Sequence, residues 1–307
     1  MTPAQVRNLS TIRPARAVRD ALTSWALIIT AWTVAAIWLR WWVLIPAGAI
    51  VGTRFYALFI IGHDGLHRRV LRSVGANDLF CDLLVFGPIG AVTRLNRTNH
   101  ILHHRYLASE GDPDRHRYGC FNRTTKGAYL GFLSGLASVM LVLRSVYFHR
   151  RLELGSERPS YTGRDLLIFV GWQALLIVGL TLLYGWWGYF VMWLVPLYAF
   201  TYCPNLVRTF LEHSHPESVE KADEHRLISY SSNAVEKAFF APSNMNYHAA
   251  HHLWTSIPYY HLPEADRLIR KSPGSKGLIW RKSYIGYLLR YFLALPLPEC
   301  RQDTAGT

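Results

Sequence analysis

Apolar residues in this chain collect in long runs separated by strongly polar stretches, and run length sets the first expectation. Ala21–Leu39 is long enough to cross a bilayer as a helix, which takes about 20 residues. Arg40, Trp41 and Trp42 follow as an interface-type turn, and Val43–Ile61 then returns. Pro46 and two glycines inside that run are of the kind that membrane helices tolerate. Leu166–Tyr184 and Trp186–Tyr202 form a second hairpin around Gly185. Two further runs are weaker. Leu79–Val92 is short and broken by Pro88, which predicts a buried or interfacial segment. Gly127–Phe148 carries glycines at 127, 131 and 135, a spacing suited to close helix packing. Its end is basic (Arg144, His149, Arg150, Arg151), as in a helix resting on a membrane surface. The pattern predicts an all-α integral membrane protein with four spans in two hairpins, interfacial helices, and a polar, His-rich cap from Asn205 onward. One domain is expected over residues 1–307, with its core at about 40–270 and tails at 1–20 and 295–307.

Charge refines this picture. The formal net charge is +13 with His neutral, which in a soluble protein would point to nucleic acid. Here Lys and Arg flank the apolar runs and no nucleic-acid motif is present, so the expected partner is anionic lipid and not nucleic acid. Arg7, Arg13, Arg16 and Arg19 precede the first run as in a signal peptide. That run is too long and lacks a small-residue cleavage site, so it reads as an uncleaved span. Cys81, Cys120, Cys203 and Cys300 show no CxxC spacing, hence no zinc, iron–sulfur or disulfide framework. With four crossings, parity returns both hairpins to the side of the basic N-terminus. Both termini and every histidine cluster then fall on the cytoplasmic side. A fifth crossing by Gly127–Phe148 would put the last cluster on the opposite side, so that run is expected to lie in the interface or re-enter.

The chain has 14 His, and eight of them stand in three clusters. His63-Asp64-Gly65-Leu66-His67 ends the second span, with its two imidazoles at i and i+4. His100-Ile101-Leu102-His103-His104 and His248-Ala249-Ala250-His251-His252 share the i, i+3, i+4 spacing, which puts each trio on one helical face. Imidazole suits iron, copper, zinc and nickel. Eight are too many for one tetrahedral zinc and about right for two metals with open positions.

These clusters, in this order around two membrane hairpins, resemble the integral-membrane fatty acid desaturase superfamily, which includes related hydroxylases and carotenoid ketolases. The wider third motif is similar too: Asn246-Tyr247 before the cluster, Leu253-Trp254 after it, then Ile257-Pro258-Tyr259-Tyr260 and Leu262-Pro263. The resemblance implies a helical membrane fold and two non-haem irons bound by His63, His67, His100, His103, His104, His248, His251 and His252. It also implies a ligand between the last span and the third cluster. Arg208-Thr209-Phe210-Leu211-Glu212-His213 is the matching stretch, so His213 is the ninth candidate, with His215 two residues on as the alternative. Asp64, Glu212, Asp112 and Asp114 are candidates to accept a ligand N–H, and Asp112-Pro113-Asp114 also reads as a turn. His116, His149, His225 and His261 stand alone and read as surface or outer residues.

The implied activity is O2-dependent oxidation of an acyl or lipid-like chain: desaturation first, hydroxylation or ketone formation on the same ligands as the alternative. No flavin, haem-attachment or iron–sulfur motif is present, so electrons must come from a ferredoxin, rubredoxin or cytochrome b5 type donor. Basic stretches at Arg68-Arg69, Arg94 to Arg105 and Arg267 to Lys282 suit docking of an acidic carrier or contact with lipid headgroups. Two rivals come from other classes. A metal-binding or transport protein would place ligands in mid-membrane along broken helices. A bis-histidine haem bundle would need His within the apolar spans, which hold none.

Overall fold

The computed structural model describes residues 1–107, 109, 111–114, 125–136, 161–213 and 227–295. Four helices are long and apolar enough to cross a membrane: Pro14–Ile37, Trp41–Leu66, Gly163–Tyr184 and Phe190–His213. Both expected hairpins are therefore present, in an all-α, multi-pass membrane protein. The even-numbered spans continue beyond their apolar runs. Span 2 carries the first histidine cluster on its last turns, and span 4 runs on through Glu212 and His213. A membrane-anchored helix thus holds each of these histidines directly.

The four spans meet in an aromatic cluster. Trp25 of span 1 stacks on Trp172 of span 3 at 5.2 Å, and Phe55 of span 2 meets Trp193 of span 4 edge-on at 5.1 Å. Trp25 and Trp193 lie 6.4 Å apart and link the pairs. Inside a membrane every N–H needs a partner. Trp25 donates to the Leu84 carbonyl at 2.9 Å and Trp32 to the Met192 carbonyl at 3.0 Å. Met192 stands four residues before Pro196, which has no N–H to return to it. Span 4 is wound as π-helix on both sides of that proline, at Phe190–Leu194 and Tyr198–Tyr202. The outer faces stay apolar and exposed, as at Leu167, Val170 and Leu182, where lipid chains would lie.

Of the three expected close-packing glycines, Gly135 does pack closely, since a Cβ there would stand 3.0 Å from the Tyr202 ring, while Gly127 and Gly131 do not and the tightest helix contact lies elsewhere. A Cβ on Gly52 would stand 2.4 Å from the Pro196 carbonyl oxygen, so this glycine lets spans 2 and 4 touch through backbone. Gly127 and Gly131 have nothing described within 4 Å. They face away from Tyr129 and Phe132, the buried side of helix Lys126–Leu133. That helix has 8 residues, too few to cross a bilayer. Residues 137–148 of the expected interfacial segment lie outside the described residues, as do His116, His149, His215, His225, Cys120 and Cys300. Leu79–Val92 is buried on one side and exposed on the other, at Leu79, Leu83 and Ile89, which fits the buried or interfacial segment expected. It starts in helix Val74–Cys81 and packs Cys81, Val85 and Phe86 against the end of span 2.

A cap of short helices closes the end where spans 2 and 4 finish. It comprises Thr93–Tyr106, Ala234–Phe240, His248–Leu253, Leu262–Arg270 and Tyr284–Ala294. It also holds one small departure from the helical expectation: β1 (Ile228–Tyr230) pairs in parallel with β2 (Ile279–Arg281), Ile228 opposite Ile279.

Candidate metal centre

The histidine-bearing helices are tied to one another before any histidine is considered. Helix Thr93–Tyr106 starts at Asp82, whose carboxylate accepts the N–H of Thr93 at 2.8 Å and its hydroxyl at 2.6 Å. Arg94 pairs with Asp165 at the start of span 3. One turn on, Arg97 is buried and points at the end of span 2. Its Nε donates to the Leu66 carbonyl at 2.8 Å, Nη2 to the Gly65 carbonyl at 3.1 Å, and Nη1 to Asp78 at 2.8 Å. The last carbonyls of a helix lack intrahelical partners. Here a side chain from the second cluster's helix satisfies those of the first, and Asn77 adds a donor to Gly65 at 2.9 Å. Neither Arg97 nor Asn77 was singled out from sequence. Only the regular spacing of Arg97 one turn before His100 could have drawn attention to it.

All nine expected histidines come together, in two adjoining groups. His63, His67, His100, His104 and His251 place one ligand nitrogen each within 4.8 Å of all the others. His103, His213 and His252 do the same beside them. His248 joins the second group, with Nε2 2.8 Å from His213 Nε2 and its ring centroid 4.4 Å from that of His252. The groups abut at His104 and His252, whose rings are 4.1 Å apart.

This partition corrects the expectation that each trio serves one face. In both HxxHH clusters the i and i+4 histidines stay together and the i+3 histidine goes to the other group. His100 and His104 join the first while His103 joins the second; His248 and His252 join the second while His251 joins the first. Helix geometry explains it: i and i+4 differ by about 40° around the axis, whereas i+3 and i+4 differ by about 100°. Two helices so decorated, laid against each other, exchange their odd histidines.

The nitrogens converge in a way suited to a cation. Nε2 of His100 lies 2.8 Å from Nε2 of His67 and 3.0 Å from Nε2 of His104, and His251 Nε2 lies 3.2 Å from His104 Nε2. One proton cannot satisfy three facing lone pairs. Burial, and then neighbouring positive charge, lowers the His67 pKa to about 4 and the His104 pKa to about 2. The same causes hold His100, His248, His251 and His252 well below the ordinary imidazole value. The buried Nε2 of His252 has no hydrogen-bond partner among the described residues. Neutral, convergent imidazoles with a lone pair left over fit transition-metal ions, whose ligands must be deprotonated.

The four carboxylates behave differently. Both oxygens of Asp112 lie 3.1 Å from His103 Nδ1, and Asp112 also accepts the backbone N–H of Asp114 at 2.9 Å. The turn and the acceptor role coexist there, and Asp114 reaches the group through its main chain. Glu212 is fully buried, with Oε2 3.6 Å from His248 Nδ1 and 3.4 Å from Arg208, while Oε1 accepts the Tyr284 hydroxyl at 2.6 Å. Asp64 departs from expectation: its Oδ2 accepts the backbone N–H of Tyr259 at 2.6 Å, and no described histidine bonds to it. One residue on from His63 is about 100° around the helix, so Asp64 faces away from the imidazoles. His261 also stands outside both groups, its ring 4.8 Å from that of Tyr260.

Comparison with known proteins shows the family. The sequence model of the family described as fatty acid desaturase matches residues 39–284. The chain belongs to the fatty acid desaturase family and is an oxidoreductase. It is 27% identical over 281 residues to an sn-1 oleoyl-lipid 12-desaturase of Arthrospira platensis, covering 84% of this chain and 78% of the relative. It is 26% identical over 292 residues to an sn-1 acyl-lipid omega-3 desaturase (ferredoxin) of Nostoc sp. (strain 36), covering 87% and 80%. A dihydrorhizobitoxine desaturase of Bradyrhizobium elkanii is 24% identical over 267 residues, covering 80% and 73%.

Proposed function

We propose that this chain is a membrane-bound, O2-dependent acyl-lipid desaturase acting as one catalytic unit, with its nine histidines holding two non-haem irons on the cytoplasmic side. The observation that carries the reading is the division of nine convergent imidazoles into two adjoining groups at the ends of membrane spans. Iron bound there supplies the O2 activation needed to take hydrogen from an unactivated C–H bond, chemistry that no side chain provides.

The residues do the rest. Burial keeps the imidazoles neutral, so their lone pairs face the metal positions. Asp112 accepts the Nδ1–H of His103, which leaves the Nε2 lone pair for a metal. Arg97 joins the first two clusters, so that the donor atoms stay in place without the metal holding them. Placement at the inner ends of spans favours a substrate that enters from the bilayer, and acyl-lipid desaturases among the relatives support a glycerolipid acyl chain. Electrons come from an external one-electron carrier. A ferredoxin is favoured over a rubredoxin or a cytochrome b5 type protein because a relative is named for it.

The test is metal content and product together. The chain purified in mild detergent is expected to carry about two irons, one for each histidine group, with no haem absorption. Lipids from expressing cells are expected to gain a double bond. Stoichiometric zinc, a haem band, or no metal after iron loading would overturn the mechanism; an alcohol in place of the alkene would reassign the reaction to hydroxylation.

A further inference from the structure

Residues 1–20 precede the stretch that matches the family, yet they are bound to the segment that follows the third histidine cluster. Leu9 is buried. Ser10 Oγ lies 2.8 Å from Ser256 Oγ. The N–H of Arg13 donates to the Tyr260 hydroxyl at 2.5 Å, and the Arg16 guanidinium stands over the Tyr260 ring at 5.1 Å. The Tyr259 hydroxyl donates to Asp20 Oδ2 at 2.6 Å. Tyr259 also gives its backbone N–H to Asp64, inside the first cluster, at 2.6 Å. One residue therefore joins the start of span 1, the end of span 2 and the loop leaving the third cluster.

The need for such a tie follows from the first histidine group. Its five imidazoles come from three separate elements. The buried Nδ1 atoms of His63 and His251 have no hydrogen-bond partner among the described residues, so no described carboxylate orients these two rings. Their relative position must then come from the backbones that bear them. Arg97 fixes the first cluster to the second. Between the first and the third, the corresponding direct contact is the Asp64–Tyr259 bond, and the arm holds Tyr259 from the far side.

We infer that residues 1–20 act as an arm that positions the first histidine group, with Asp20 and Tyr259 as its positioning residues. The inference rests on the histidines being metal ligands. It assigns the arm a role at the first group, since only that group takes ligands from both elements that Tyr259 joins: His63 and His67 of span 2, and His251 of helix His248–Leu253.

The experiment follows release of iron to a chelator from the full-length, iron-loaded chain. Tyr259→Phe removes one hydroxyl and keeps the backbone bond to Asp64. Asp20→Ala removes the acceptor, and Asp20→Asn retains an acceptor oxygen. Tyr259→Phe and Asp20→Ala are expected to speed one of two release phases about tenfold, the lower end of what loss of an outer partner costs a metal site. The other phase should stay as in the unaltered chain, and so should the thermal midpoint of the metal-free protein. Asp20→Asn should restore slow release. Acceleration of both phases alike would make the arm a general stabiliser and overturn the inference. So would unaltered release in Tyr259→Phe and Asp20→Ala, or an Asp20→Asn protein as fast as Asp20→Ala. An unaltered chain that holds no iron would instead remove the proposed function, and the inference with it.

Discussion

Five imidazoles converge in one histidine group and four in the other, yet the carboxylates that touch imidazoles lie around the smaller one. In the second group Asp112 grips His103 with both oxygens, and Glu212 stands beside His248. In the first group Asp64, adjacent to His63 in sequence, is turned to a backbone N–H, and the links run between helices: Arg97 to the carbonyls of Gly65 and Leu66, Tyr259 to Asp64 and Asp20. A carboxylate on an imidazole fixes its tautomer and raises its basicity. A tie between helices sets only where the rings stand. Two rings of the second group are therefore steadied directly by carboxylates, and the first group by its frame and by one extra ligand.

The harshest way to break this contrast is to remove one ligand from each group. His251→Ala and His103→Ala should each lower turnover by more than about 100-fold, beyond the loss expected from an outer partner alone. The spans should stay inserted. Iron counting adds the sharper point: His251→Ala should empty the first group and spare the second, and His103→Ala the reverse. Full activity in either variant would remove the ligand assignment, and loss of both irons in both variants would mean that the groups are one site.

A smaller effect tests the frame. A Cβ on Gly65 would sit 2.2 Å from Cys81 Sγ but 3.6 Å from Cys81 Cβ. Gly65→Ala should therefore displace the end of span 2 and cost about 1–3 kcal/mol, the usual range for overpacking. Metal should be lost first from the group containing His63 and His67. Adding Cys81→Ala removes the offending sulfur and should restore both stability and iron. Thermal unfolding with metal analysis decides it, and a double variant no better than the single one would show that the frame is not set by this contact.

Much of this was legible before any coordinates. The spans could be read because a bilayer demands length, and the histidine clusters because i and i+4 share a face. The crossing of His103 and His251 between groups could not, since about 100° of helix rotation has meaning only once a second helix lies alongside. Two of the three expected packing glycines, Gly127 and Gly131, were misplaced for a related reason. Gly48 and Gly52 have the same spacing as Gly127 and Gly131, and only the distant Pro196 distinguishes them. Residues 1–20 look like a tail because they are polar and basic, whereas their bonds are to residues nearly 250 positions away. The strands β1 and β2 have 3 residues each, too short to leave a periodic signal.

Within the second group, Asp112→Ala should weaken iron binding about 10–100-fold, because it deprives a buried imidazole N–H of its acceptor. The same substitution at Asp64 should leave the second group's iron unchanged and affect only the first. Separate affinity measurements, with each group isolated by a ligand substitution in the other, check both statements. Equal effects of Asp112→Ala on both groups would erase the distinction drawn from the carboxylates.

The smallest effect asks whether His248 belongs to that scheme. Its Nδ1 stands 3.4 Å from Met245 Sδ and 3.6 Å from Glu212 Oε2. A thioether is a weak acceptor, and a carboxylate a strong one. If the carboxylate is the effective partner, Met245→Leu keeps the volume, removes the sulfur, and lets the imidazole settle toward Glu212. Iron affinity should then change by well under the about tenfold that marks loss of a true outer partner. An effect as large as that of Asp112→Ala would make sulfur the anchor of His248. The second group would then have only Asp112 as a carboxylate acting on a ring, and its advantage over the first would rest on that one aspartate.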